Sequence, residues 1–211
     1  MKPILFNTDM VEAILDGRKT VTRRQLKCMV HSVHAVTGDC IKHYLERAGK
    51  MPYQVGDGLY VRETWQFIPC IDCAMSACQN KPVVHEDAET VGEGCFVFKA
   101  SYPETKTMHW RPSIHMPEEA ARIFLKVTAV RVERLQSISR QQCHAEGIVG
   151  FEGMTGEPKY MEQIRGRAAQ TVFSELWEST IKKQDRPAYG WDANPWVWVI
   201  EFERLKEVPH D

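Results

Sequence analysis

Apolar and polar positions along the chain change period several times, and each change marks an element. Met10, Val11, Ile14 and Leu15 recur at helical spacing, with Asp9 before them and Gly17 after. That pattern predicts a short helix capped by Asp9 and ended by Gly17. From Lys19 to Arg24 basic residues alternate with β-branched ones, as in a strand. Residues 28–50 carry no clear period. "VGDGLYVRETW" predicts a Gly-Asp-Gly turn at 56–58 and a strand from Leu59. Residues 66–94 read as an insertion, because cysteines and the acidic run "HEDAETVGEG" replace apolar periodicity there. "CFVFKA", 95–100, returns to a strand pattern, and "MHWRPSIHMP" with its prolines reads as a shaped loop.

"RIFLKVTAVRVERL", 122–135, is the strongest strand pattern, long enough to hold a bulge. Ser139 and Gln142 have capping-box spacing for a short helix that stops at Gly147. A Gly-rich loop and a longer helix near 166–181 follow, with Val172, Phe173, Leu176 and Trp177 on one side. "GWDANP" reads as a turn before a last strand at 196–203, and Trp191, Trp196 and Trp198 are assigned to the core. Short strands interleaved with short helices predict an α+β fold around a small β-barrel: one domain over 1–211, with the insertion at 66–94.

Composition adds limits rather than a function. The 211 residues, 43% hydrophobic and 26% charged, are enough for a sizeable core. A net charge of -1 argues against tail-driven nucleic-acid binding and leaves room for a local basic patch. No apolar run has the length of a signal peptide or a membrane span, so the expectation is a cytoplasmic protein without membrane partners. Seven cysteines, an odd number, fit reduced thiols better than a disulfide framework. No protein partner can be read from the sequence.

The charge that matters is local. After the first helix come Arg18, Lys19, Arg23, Arg24 and Lys27 with no acid among them. A solvated basic strand is one reading; an anion-facing site in which a lysine activates a threonine is the other. Arg62, Glu63 and Trp65 close one motif, and Trp110, Arg111 and His115 shape a loop. Rings that stack on a base and arginines that hold a phosphate or carbonyl make a base-binding pocket, unless the tryptophans are core. "CIDCAMSAC" brings Cys70, Cys73 and Cys78 together, with Cys95 or His85 as a fourth ligand. Such a set would hold a structural zinc; the alternative is a loop with free thiols. No cofactor is expected for catalysis.

"ILDGRKTVTRR", "GDGLYVRETW", "SRQQCHAEGI" and "WVWVIEFERL" resemble, in that order, the ASCH domain family, relatives of the PUA domain. With "WRPSIHMP" the chain is similar to long ASCH proteins of phages and prophages. Those often follow that motif with a basic and an aromatic residue, where Glu118 and Glu119 stand here. The resemblance implies a small β-barrel with a cleft, and RNA or modified nucleosides as substrates. Some ASCH proteins hydrolyse N4-acetylcytidine with a Lys, a Thr and a Glu. The "GRKTxT" motif places the first two at Lys19 and Thr22, and the helix after the long strand places the third at Glu146.

Amide hydrolysis needs a nucleophile, a base for its proton and an acid for the leaving amine. Lysine serves as the base only where burial or neighbouring cations lower its pKa, and Arg18, Arg23 and Arg24 are such cations. Residues three apart on a regular strand face opposite ways, so Lys19 must precede regular pleating to meet Thr22. Glu146 would orient the lysine or protonate the leaving group. The expected function is hydrolysis of an N4-acylcytidine-type amide. A non-catalytic module for RNA or a modified base, or a ribonuclease using the same cleft, are the alternatives.

Overall fold

Asn7, not Asp9, starts the first helix. The computed structural model describes residues 1–26, 52–70, 83–87, 89–105, 108–149 and 158–206. In it α1 spans Thr8–Leu15, and the Asn7 side chain accepts from the Met10 amide at 2.9 Å. Asn7 is extended while Thr8 is already helical, which leaves Asp9 in the first turn. Lys27, residues 28–50, Cys73 and Cys78 lie outside the described residues.

The chain divides into two compact units, Met1–Asp16 with Gly58–Leu125 and Leu205–Asp211, and Gly17–Asp57 with Lys126–Arg204. In the first unit β1 (Lys2–Leu5) runs parallel to β3 (Gly58–Arg62), Lys2 opposite Leu59. In the second, β2 (Val21–Gln25) is antiparallel to β8 (Trp196–Arg204), Val21 opposite Glu201 and Gln25 opposite Val197. With β7 (Phe124–Arg134) the strand order within the second unit is β7-β8-β2. The fold class is α+β as expected, but the barrel is corrected. Among the described residues the strands form open sheets and no closed barrel.

The first unit also holds an antiparallel sheet, ordered β4 (Trp65–Pro69), β6 (Thr90–Phe98), β5 (Val83–Asp87). Much of the segment read as irregular, 66–94, is therefore strand. Its apolar signal is carried by one face: Trp65, Phe67, Phe96 and Phe98 pack together with Met116 and Ala120. The acidic residues sit on a hairpin whose outer positions, such as Val91, are exposed, so composition hides the pairing. Gly94 allows β6 to approach β4, since a Cβ there would lie 2.4 Å from the Ile68 carbonyl oxygen.

In the second unit, α2 (Arg140–Ala145) carries the capping box. The Gln142 amide donates to Ser139 Oγ at 3.2 Å, and the Ser139 amide donates to Gln142 Oε1 at 2.8 Å. Glu146 caps the C-terminus and Gly147, at φ 95°, turns the chain away. The long helix α3 spans Pro158–Thr180, and its Phe173 and Trp177 pack on Val21, Leu135, Val197 and Val199. A short helix α4 (Arg186–Tyr189) and the "GWDANP" turn, with Asn194 at φ 43°, lead into β8. Trp198 is core, Trp191 packs against the core, and half-buried Trp196 lies under the Arg134 guanidinium at 4.4 Å. Among the described residues no helix is long and apolar enough to cross a membrane.

Candidate functional site

Two backbone hydrogen bonds fix the start of the basic segment. The Thr20 amide donates to the Ala145 carbonyl at 2.8 Å, and the Thr20 carbonyl accepts from the Phe202 amide at 2.9 Å. Lys19 thereby bridges to Glu146 just before β2 begins, ahead of the regular pleat. Its ammonium is fully buried and donates to Glu146 Oε2 at 2.6 Å and to the Glu146 carbonyl at 3.0 Å. Arg23, 5% exposed, takes the other oxygen, Oε1, at 3.0 Å and reaches Glu133 Oε2 at 3.4 Å. Lys19 and Arg23 stand in one motif, Glu146 lies 127 residues beyond Lys19, and the fold joins all three in one buried cluster.

That environment tunes the lysine. Burial pushes Lys19 below its ordinary 10.5; Glu146 opposes the shift, and Arg24 and Arg23 reinforce it. Cys143 on α2, beside this cluster, has its thiol pushed up to about 11, chiefly by burial, so it is not a nucleophile near neutral pH. Thr22 is buried on β2 opposite Ile200, and Arg24 is half-buried. Exposed Arg18 donates to the Gly147 carbonyl at 2.9 Å.

A groove of about 340 Å³ opens next along the chain, lined by Thr20, Thr128, Arg131, Gln141, Glu201 and Phe202 among others. Lys19, Thr22 and Glu146 do not line it. Arg131 donates to Glu133 and to Glu201; these bonds outweigh the cost of burying the guanidinium and raise its pKa. Arg131, Glu133 and Glu201 are missing from the sequence reading. The "VRVER" pattern does carry a signal, because residues two apart on a strand share a face.

The remaining candidates lie in the first unit. Trp65 is 1% exposed and meets Phe96 and His85 edge-on, each at 5.6 Å between ring centroids. Of the two readings given for Trp65, base stacking and core, the buried ring has the surroundings of a core residue. The Arg111 guanidinium covers that ring at 5.3 Å and donates to Asp87, Glu89 and Thr90. Arg62 donates to the Ile114 carbonyl at 3.2 Å, half-buried Trp110 to the Thr105 carbonyl at 3.4 Å, and His115 is exposed.

His85 contacts Glu119 through Nδ1 and Asp87 through Nε2, both at 2.8 Å, so both nitrogens are engaged by carboxylates. Glu119 thus finds a partner in the fold that the family pattern does not suggest. Cys70 is exposed and Cys95 is buried. Among the described residues no three His, Cys, Asp or Glu side chains are arranged to hold a metal ion.

Asp87 is the acid-sensitive point of this network. Burial works against its charge, but the Glu89 amide, His85, the Thr90 amide and Arg111 together hold its carboxyl well below the usual aspartate range. A depressed folded value means stability that is present above the ordinary 3.8 and lost as pH falls toward the folded value. In an acid-unfolding series, Asp87→Asn is expected to be less stable than the native chain above 3.8 and to converge with it below. Parallel curves over that range would contradict the role given to Asp87.

No protein-family model and no curated protein matches the chain. A crystal structure of an ASCH domain from Lactobacillus crispatus is similar at a TM-score of 0.32 and 11% identity, over 92% of this chain and 70% of that one. Likeness at that level carries no weight for fold or chemistry, which rest on the geometry above.

Proposed function

We propose that the Lys19–Glu146 centre hydrolyses the amide of an N4-acylated cytidine or a closely related modified pyrimidine nucleoside, as in the ASCH proteins its motifs resemble. The observation that carries this reading is a fully buried lysine held by a carboxylate, with its pKa pushed down. A lysine of that kind can act as a base nearer neutral pH. Neutral Lys19 Nζ takes the Thr22 hydroxyl proton as Oγ1 attacks the acyl carbon. The C–N bond breaks, and the cytosine amine leaves with the proton from Lys19. Water, deprotonated by neutral Lys19, then attacks the Thr22 ester, and the Lys19 ammonium returns that proton to Thr22 Oγ1 as the carboxylic acid leaves. The scheme requires Thr22 Oγ1 within hydrogen-bond reach of Lys19 in the substrate complex.

Glu146 has both oxygens occupied by cations, which fits it to orient Lys19 rather than to protonate the leaving group. The adjoining groove has the volume of a small-ligand pocket, roughly 300–1,000 Å³. Its Arg131 charge is offset by Glu133 and Glu201, which suits an uncharged ligand. Internal partners for Arg18, Arg23, Arg62 and Arg111 likewise favour a small molecule over an RNA backbone.

The test is separate incubation with N4-acetylcytidine and with end-labelled RNA. Cytidine plus acetate from the first, and intact RNA from the second, are expected. Unchanged N4-acetylcytidine together with cleaved or retained RNA would replace this reading with a ribonuclease or a binding module.

A further inference from the structure

Five groups of alternating charge join the groove wall to the buried lysine. Arg131, a wall residue, donates to Glu133 Oε1. Glu133 Oε2 accepts from Arg23 at 3.4 Å, Arg23 donates to Glu146 Oε1 at 3.0 Å, and Glu146 Oε2 holds Lys19 at 2.6 Å. Exposure falls along the chain, from 34% for the Arg131 side chain and 24% for Glu133 to 1% for Arg23 and none for Lys19. The interior end is screened little by solvent, so a charge changed at the wall is felt there.

We propose that Glu133 is a positioning residue: through Arg23 it sets how Glu146 is shared, and hence the protonation of Lys19. Glu133 divides its two oxygens between Arg131 and Arg23. The more of its charge that goes to Arg23, the less Arg23 draws on Glu146, and the more of Glu146 remains for the lysine ammonium. Anything that ties Glu133 to Arg131 acts the other way. A ligand in the groove that competes for Arg131 would therefore adjust the base from a distance. The other charged or titratable groups in this network are Arg24 on β2, Tyr53 near Arg24, Cys143 on α2, and Glu201 on the far side of Arg131. None of these touches both Glu133 and Arg23 in the hydrogen bonds described.

This inference rests on Lys19 as the base, and its test separates the two. The Lys19 Nζ titration is followed by NMR of protein labelled with 15N at the lysine side chains, beside the pH profile of kcat/KM on N4-acetylcytidine. In Glu133→Gln, Arg23 turns wholly to Glu146, and the Lys19 midpoint is expected to move down by about half a pH unit or more. In Arg131→Gln, Glu133 turns wholly to Arg23, and the midpoint is expected to move up. Opposite shifts in two folded variants are not the signature of a packing defect. The ascending limb of kcat/KM should move with each midpoint.

Midpoints that stay put, or that move the same way in both variants, overturn the coupling. Opposite shifts in a protein that releases no cytidine would leave the coupling standing and overturn the hydrolytic reading. If Glu133→Gln does not fold, Arg131→Gln alone decides by the direction of its shift.

Discussion

Glu146→Ala is expected to destabilise the protein by about 3–5 kcal/mol, the usual cost of removing one partner from a buried ion pair. Two cations depend on this carboxylate: Lys19 at 2.6 Å, and Arg23 at 3.0 Å. Arg23 retains Glu133 at 3.4 Å and is partly compensated, but Lys19 would lose both the carboxylate and the charge that opposes its desolvation. Chemical denaturation compared with the native chain checks the magnitude. A loss under about 1 kcal/mol would mean that the carboxylate contributes no more than a surface pair. Glu146→Gln keeps the shape and is expected to lose activity, because a neutral amide offers a single oxygen where Lys19 and Arg23 now hold one each.

Lys19→Met is expected to lower hydrolysis of N4-acetylcytidine by about 10²–10⁴-fold, the range for loss of a general base. Methionine fills the buried volume while removing the only atom that exchanges a proton with Thr22 in the scheme above. The stability consequence has its own sign. Lys19 titrates below 10.5 when folded, so between its folded value and 10.5 the unfolded chain binds more protons. Native stability should therefore rise with pH across that window, and Lys19→Met should remove that component of the slope. Steady-state kinetics and denaturation at several pH values read both effects. Full activity in Lys19→Met would end the assignment.

How much of this was legible in the sequence depends on the range of the signal. The capping box at Ser139 and Gln142, the turn before β3 and the alternation of β7 and β8 are local patterns, and the fold follows them closely. Asp9 failed as a cap because Asn7, two residues earlier, was already extended and able to accept from Met10. Sheet closure is a long-range property. Nothing within a single strand says whether its sheet closes, so the barrel did not follow from strand count. The hairpin of β5 and β6 was hidden because its buried phenylalanines, Phe96 and Phe98, come at the end of β6, while Glu86, Asp87, Gly92, Glu93 and Gly94 interrupt the pattern before them.

The candidate site divides the same way. Lys19 and Arg23 stand in one motif, and the family resemblance pointed to Glu146, which the fold brings against Lys19. Side-chain alternation requires Lys19 to sit ahead of the regular pleat if it is to meet Thr22, and Lys19 does precede β2, bridged to Glu146. Glu133, Arg131 and Glu201 escaped notice because their meaning lies in cross-strand neighbours, which register reveals and sequence does not. The aromatic–arginine motifs are ambiguous for a physical reason. Arg111 over Trp65 is the same pairing whether it covers a core ring or a nucleobase.

The central claim is that Lys19 is the base, and one paired measurement tests it most directly. The pH dependence of N4-acetylcytidine turnover by the native chain is recorded beside the 15N titration of Lys19 Nζ. The expected result is release of cytidine and acetate along an ascending limb whose midpoint coincides with that of Lys19, below the ordinary 10.5. A lysine that stays charged up to 10.5, or turnover whose limb ignores the Lys19 midpoint, would contradict the account.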